Sequence, residues 1–375
     1  MRAIAADRHY IHSDSGLRAA ADQWRKAPAL GIDTEFIRVD TFHPQPALVQ
    51  VSDGRECWLV DVLDVKHFAP LAEILTEPQI TKIVHAAGED LEVFDRLVGA
   101  LPQPLFDTQI AAAFCGHGPS IGYSRLVQGV LGVELSKDQC RSDWLARPLT
   151  DEQQHYACLD VLYLPALYEH LGGVLAQRQR IDWSAEENLR QLARYREQRE
   201  SPYNIERITN AWRLGDSERQ RLWHLLLGRD ALARAHNKPR NHIARDFALF
   251  DMARRPPKHV AELSAIDGLR PSGIRQFGSE LIRLAQEVPP DLLVPPLFEP
   301  LGRLENNRVK ELRGVTEQVA VAQDLPTELL VRKQELESLV RQHASASAIM
   351  LPERFNGWRE PVIARPLRDC IHSWS

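Results

Sequence analysis

Strand-type runs are confined to the first 200 residues of this 375-residue chain, and that confinement sets the class of fold. ALGIDTEF (29–36), ALVQVSDG (47–54), ECWLVDV (56–62) and ITKIVHA (80–86) are short, apolar or alternating, and bounded by turn residues, as strands are. Asp53-Gly54 between the second and third predicts a hairpin. Helical spacing appears between the runs, in Phe68, Leu71, Ile74 and Leu75 and in GEDLEVFDRLVG, which should end at Gly99. PLFDTQIAAAFCG reads as a short strand entering a helix. LTDEQQHYACLDVLYLPALYEHLGGVL reads as one long helix, opened by a capping box between Thr150 and Gln153. Residues 1–200 therefore predict an α/β domain, with a β-meander first and helices after.

Beyond residue 200 the strand signal vanishes and the pattern is helical, punctuated by proline. Two stretches match at a constant offset, ALARAHNKPRNHIARDFALFDMAR (231–254) and QVAVAQDLPTELLVRKQELESLVR (318–341). Ala233, Ala235, Pro239, Arg245, Leu249 and Arg254 align with Ala320, Ala322, Pro326, Arg332, Leu336 and Arg341. DGLRPSG is loosely echoed by FNGWREP. The shared register predicts two copies of one small all-α domain, at 205–290 and 298–375. VPPDLLVPPLFEP (288–300) reads as their linker.

Composition narrows the function. No apolar run approaches the roughly 20 residues of a membrane span, so no membrane partner is expected. The N-terminal MRAIAADRHYIHSDS lacks a signal-peptide core. Five scattered cysteines with no CxxC pair give neither a disulfide framework nor a zinc site, and predict a reduced, cytoplasmic protein. The net charge of −5 hides an uneven distribution: residues 203–290 hold 15 Lys+Arg against 10 Asp+Glu. A basic middle segment beside an acidic remainder fits a binding module attached to a metal-dependent catalytic one.

Four acids in three segments carry the candidate chemistry: Asp33 and Glu35 in GIDTEF, Asp90 in HAAGEDLEVF and Asp160 in HYACLDVLYL. Asp33 and Glu35 lie two apart, so on a strand they share a face and Thr34 points away. Burying such a pair is costly unless a cation lies between them. Asp90 falls in the first turn of its helix, where the dipole favours an acid with or without function. Tyr156 and Asp160 stand four apart, one above the other on a helix. Asp107 is a fifth acid near a strand end. It is read as an N-cap for the helix starting at Thr108, or as a support behind the site. His85 is a candidate substrate contact, or a core histidine satisfied by its neighbours.

DTEF, LVQVSDG, KIVHAAGEDLEVF, LFDTQIAAAF and LSKDQCRSDWLARPLTDEQQHYACLDVLYL resemble the ribonuclease D family, the DEDD exonucleases with Tyr in the third motif. The resemblance spans about residues 28–170, and the helical remainder is similar to the HRDC domain, most closely in 205–290. It implies an α/β RNase H-like 3′–5′ exonuclease domain, a mixed sheet flanked by helices, followed by two all-α HRDC-like domains, the second degenerate. It also implies that Asp33, Glu35, Asp90 and Asp160 hold two divalent cations, Mg2+ or Mn2+, that Tyr156 orients the attacking water, and that no small-molecule organic cofactor takes part. The implied substrate is structured RNA with a 3′ extension, typically a tRNA precursor. Phe36 could stack on a terminal base or be a core residue. Gln50 resembles a position near the nucleotide. Lys137, Arg141 and Arg147, with Trp144 interleaved, are read as phosphate contacts or as packing around the site, with contact favoured. Two alternatives stay open at this point: a 3′→5′ DNA exonuclease with the same site, since the cage reads phosphate and only the 2′-hydroxyl separates RNA from DNA, and a non-catalytic nucleic-acid-binding module.

Overall fold

The computed structural model describes residues 7–135, 142–200, 204–345 and 349–374. The chain divides into two compact units, one built from residues up to 37, 46–195 and 301 onward, the other from 38–45 and 196–300.

The first unit is organised by a six-stranded mixed sheet: β1 (Asp7–Ile11), β2 (Ala29–Ile37), β3 (Gln45–Ser52), β4 (Glu56–Asp61), β5 (Thr81–Val84) and β6 (Leu105–Asp107), in the order β1-β4-β3-β2-β5-β6. β3 and β4 form the expected antiparallel hairpin, with Leu48 opposite Asp61 and Ser52 opposite Cys57. Gly54 at its turn takes φ 89°, which glycine adopts without a Cβ clash. β5 runs parallel to both β2 and β6, and β1 runs parallel to β4. β1 was not legible as a strand: Asp7, Arg8 and His9 are exposed, so no apolar run marks it, and its pairing with β4 alone makes it one.

Helices cover both faces. α1 (Asp14–Trp24), α2 (Ala69–Thr76) and α3 (Asp90–Val98) pack with Leu30 and Ile32 of β2, Val49 and Val51 of β3, and Val60 of β4. α3 ends at Gly99 in a left-handed cap, as its sequence predicts. On the other face, Leu48, Leu59 and Ile83 meet α4 (Thr108–Phe114), α5 (Tyr123–Leu131), α6 (Asp151–Leu162) and α7 (Leu164–Gln177). α6 opens on the predicted capping box. The single long helix expected from 150 onward is two helices. Pro165 lies in the first turn of α7, where its missing N–H costs nothing, and the chain breaks at Tyr163. That junction presses on β2: a Cβ on Gly31 would lie 2.7 Å from Val161 O and 2.9 Å from Leu164 Cβ. Only glycine lets the strand and α6 approach this closely.

α8 (Ile181–Glu200) leads out of the sheet. The second unit holds α9 (Asp216–Ala235), α10 (Arg240–Ile243), α11 (Asp246–Arg254), α12 (Val260–Leu263) and α13 (Pro271–Gln286) around Leu222, Leu226, Leu249, Met252, Phe277 and Leu281. The 38–45 connection between β2 and β3 folds with these helices. The Phe42 ring lies 4.9 Å from the Arg234 guanidinium and 4.7 Å from that of Arg240, and His43 N donates to Asn237 Oδ1 at 3.0 Å.

The C-terminal helices α14 (Arg303–Gln323), α15 (Thr327–Leu330), α16 (Lys333–Ser345) and α17 (Arg365–His372) return to the first unit. α14, α15 and α16 begin at 303, 327 and 333, each 87 residues after α9, α10 and α11 at 216, 240 and 246. The caps recur too, with Glu218 accepting from Gly215 N and Glu305 from Gly302 N. Ile243 and Leu330, Leu249 and Leu336, and Met252 and Leu339 are buried in both stretches. Gly268 and Gly357 both take positive φ. The two stretches face different surroundings. Leu312, Leu339, Phe355 and Trp358 share one apolar cluster with Phe114, Leu171 and Leu175 of the sheet unit. Trp358 stacks on Trp183 at 4.9 Å and meets the Phe114 ring edge-on at 5.3 Å. Arg359 is fully buried beside it, bonded to Glu187 and to Leu329 O.

Because this cluster belongs to the sheet unit, Trp358→Ala should destabilise that unit by about 3–5 kcal/mol, the range for truncating a buried aromatic. Urea unfolding followed by far-UV circular dichroism checks it, and an unchanged midpoint would contradict the shared core.

Candidate active site

Strand parity places the first two carboxylates. Leu30 and Ile32 pack towards α1–α3, so Gly31, Asp33 and Glu35 face α6 and α7. α6 presents Asp160 to them. One carboxylate oxygen from each of Asp33, Glu35 and Asp160 lies within 4.8 Å of the others, and all three residues are half-buried.

Asp90 arrives from the opposite face, at the start of α3. Thr34 is the β2 residue whose parity points that way, and its Oγ1 donates to Asp90 Oδ1 at 2.5 Å. Asp90 lies outside the three-residue cluster, yet its charge acts on both Asp33 and Glu35. The turn before α3 is held in place: Ala86 sits at φ 61°, uncommon for a residue with a Cβ. The buried Asp107 carboxylate accepts from Ala86 N at 2.9 Å and Ala87 N at 3.0 Å, and also from Gln109 N at the start of α4. The two sequence readings of Asp107, cap and support, are both realised.

Burial pushes all four carboxyls upward, because the charged form loses water. Asp33 is held well above the usual carboxylate range by burial and then by Asp90, Asp160 and Glu35. Glu35 is pushed up to about 8 by burial and by Asp160 and Asp90. Burial raises Asp160 to about 7 against a hydrogen bond from Tyr156, and raises Asp90 to about 6 against the bond from Thr34. Among the described residues, the charges that raise Asp33 and Glu35 are other carboxylates. An all-oxygen, mutually repelling set of this kind fits a hard divalent cation.

Tyr156 stands on α6 one turn before Asp160 and is hydrogen-bonded to it. Phe36 is half-buried at the end of β2. The other described sequence candidates turn inward, His85 as its core reading expected and Trp144 and Arg147 as their packing readings did. Gln50 has no exposed surface, and its amide has no hydrogen-bond partner. Trp144 is 2% exposed and lies 6.2 Å from the Tyr156 ring. Neither side chain is open to solvent in this conformation, and Trp144 packs beside Tyr156. His85 is drawn below its ordinary value by burial. Its ring nitrogens lie 2.9 Å from Thr108 Oγ1 and 3.0 Å from Ile121 O, which occupies both in internal bonding. Lys137 and Arg141 lie outside the described residues. Arg147 is bound to Asp61 and to backbone carbonyls instead of projecting towards solvent. Tyr123 was missed: it packs 5.6 Å from His85 and donates to Leu159 O at 2.9 Å, the residue before Asp160. Nothing in its local sequence announces that contact; the parity of Thr34, by contrast, was available.

The model of a 3′–5′ exonuclease domain matches residues 8–176, the sheet and its active-site helices, and that of the HRDC domain matches 218–284. Ribonuclease D of Pseudomonas paraeruginosa is 39% identical over 376 residues, covering all of both chains. The chain belongs to the ribonuclease D family. Escherichia coli ribonuclease D is 35% identical over 97% of this chain and 98% of its own length. The crystal structure of the E. coli protein, described as an exoribonuclease involved in structured RNA processing, aligns with a TM-score of 0.88 at 33% identity over 98% of this chain and 99% of that one. Membership makes the chain a 3′→5′ exoribonuclease, with the mixed-sheet fold and the HRDC domain that its sequence predicts.

The carboxylate cluster should set the pH dependence of metal-free stability. These groups bind protons more tightly folded than unfolded, so their contribution is present at low pH and is lost as pH rises through the folded values. The melting temperature in EDTA should therefore fall between about pH 6 and 8, with a shallower fall in Asp160→Asn. A melting temperature that rises across that window would contradict the assignment.

Proposed function

We propose that this ribonuclease D family member removes 5′-mononucleotides from the 3′ ends of structured RNA, precursor tRNA among them, in the cytoplasm. The observation that carries the reading is the convergence of Asp33, Glu35 and Asp160 within 4.8 Å, with Asp90 acting on the same charges and Tyr156 bonded to Asp160. Asp33, Glu35, Asp90 and Asp160 would hold two divalent cations, Mg2+ or Mn2+. Such cations would supply charge neutralisation and polarisation at the scissile phosphate. The Tyr156 hydroxyl orients the water. The water oxygen bonds to phosphorus as the bond to the 3′ oxygen breaks; one water proton ends on that 3′ oxygen and the other is released to solvent. None of the carboxylates is placed as a covalent nucleophile. Phe36, near the end of β2, is the candidate stacking surface for the terminal base.

The helical unit offers cations for a nucleic-acid phosphate backbone. Arg245, Arg254, Arg255, Lys258, Arg270 and Arg275 are exposed on it. Arg234 and Arg240 both bond Asp230 and flank Phe42, so the grip falls to the other cations. We read 298–375 as a second, degenerate HRDC-like domain that has become part of the catalytic unit's core.

With Mg2+ and a 3′-extended tRNA, the wild-type protein should release mononucleotides and Asp160→Ala should not. Faster digestion of single-stranded DNA would favour the DNA alternative, and persistent activity in Asp160→Ala would sink the metal-site assignment. Arg255→Glu combined with Lys258→Glu should weaken binding of structured RNA and lower the slope of log affinity against log salt by about 1–2, with turnover of a short single strand unchanged. An unaltered salt slope, measured by filter binding, would remove the helical unit from RNA contact.

A further inference from the structure

The segment 142–149 runs into α6 without regular secondary structure, yet it carries Trp144, whose ring lies against Tyr156. Trp144 is 2% exposed and its indole N–H has no partner, so packing alone holds it. The segment must be fixed by something else. Arg147 sits three residues on, and every N–H of its guanidinium is in use. Nε donates to Asp61 Oδ2 at 2.5 Å, Nη2 to Asp61 Oδ1 at 2.8 Å and Ala47 O at 2.7 Å, and Nη1 to Trp144 O at 2.7 Å and Ala146 O at 2.9 Å. A guanidinium has five N–H donors, so none is left for a phosphate.

The acceptor side is equally committed. Asp61 ends β4 and is 1% exposed. Besides Arg147 it accepts from Tyr10 Oη of β1 at 2.5 Å and from Leu63 N at 3.0 Å. Burial works to raise its carboxyl, and the bonds from Arg147 and Tyr10 hold it below its ordinary value instead. One ion pair thus ties the ends of three strands to the backbone on either side of Leu145. From the other end, Gln153 Nε2 in the first turn of α6 donates to Asp143 O at 3.2 Å.

We propose that Arg147, locked by Asp61, is a positioning residue for Tyr156: it fixes the segment that presses Trp144 against the tyrosine ring and so sets where the hydroxyl points. The inference rests on the reading of Tyr156 as the water-orienting group.

Arg147→Lys keeps the charge but offers at most three donors and no fork, so it cannot span Asp61, Ala47 O and the segment carbonyls together. In steady-state cleavage of 3′-extended tRNA its kcat should fall about tenfold or more, with KM within about twofold of wild type, as expected for displacement of a reacting group. A phosphate contact would show the reverse, a raised KM and a shallower salt dependence, and that result would overturn the proposal. The deciding measurement is the double variant. Tyr156→Phe alone should lower kcat, and adding Arg147→Lys to it should lower kcat no further. A full additional drop would overturn the positioning role while leaving Tyr156 in place. An unchanged kcat in Tyr156→Phe would remove both. If Arg147→Lys melts at the assay temperature, Trp144→Phe, which leaves the Arg147 cage intact, carries the same test against Tyr156→Phe with the same outcomes.

Discussion

Repulsion among four half-buried carboxylates is the constraint on which the rest of the structure depends. Asp33, Glu35 and Asp160 bring carboxylate oxygens within 4.8 Å of one another, and among the described residues the charges that raise the first two are carboxylates. An arrangement that expensive persists only if surrounding packing over-determines it. The packing does so from several directions. Gly31 admits the α6–α7 junction onto β2, and Thr34 fastens Asp90 to the strand. Asp107 holds the turn before α3, and Tyr123 anchors the backbone just before Asp160. Together these contacts keep the oxygens poised for a cation.

The chain uses its repeated helical sequence in two ways. Both stretches keep the same helix starts and caps, 87 residues apart. The first surrounds its own core and exposes arginines. The second places Trp358 against Trp183 and Phe114 and buries Arg359 in full. A truncation meant to isolate a catalytic domain of 200 residues would therefore strip apolar surface from the catalytic unit itself. The sequence pattern could not foresee this, because residues that pack a helix onto its own copy and residues that pack it onto a sheet are the same types.

Legibility followed the range of the interaction. The β3–β4 hairpin, the Gly99 cap and the Thr150–Gln153 capping box rest on neighbours within a few residues, and all formed where expected. The long helix from 150 failed at Tyr163, although Pro165 was in plain view. β1 failed because an exposed edge strand has no apolar signature. Among candidate substrate contacts, Gln50 and Trp144 are buried and His85 and Arg147 are engaged internally. Polar and aromatic residues near a site look alike in sequence whether they touch the ligand or support what does.

What the sequence determined by itself was the set of groups: two acids of one parity on a strand, an acid opening a helix, and Tyr and Asp one helical turn apart, because those spacings are fixed by backbone periods of 2 and 3.6. What only the tertiary structure decided was which groups meet. It joined Thr34 to Asp90, and it gave Arg147 to Asp61 and not to solvent. It also folded residues from 301 onward with the sheet. Those choices turn on long-range burial and on how many donors and acceptors remain unmatched, and no local window of sequence contains either quantity.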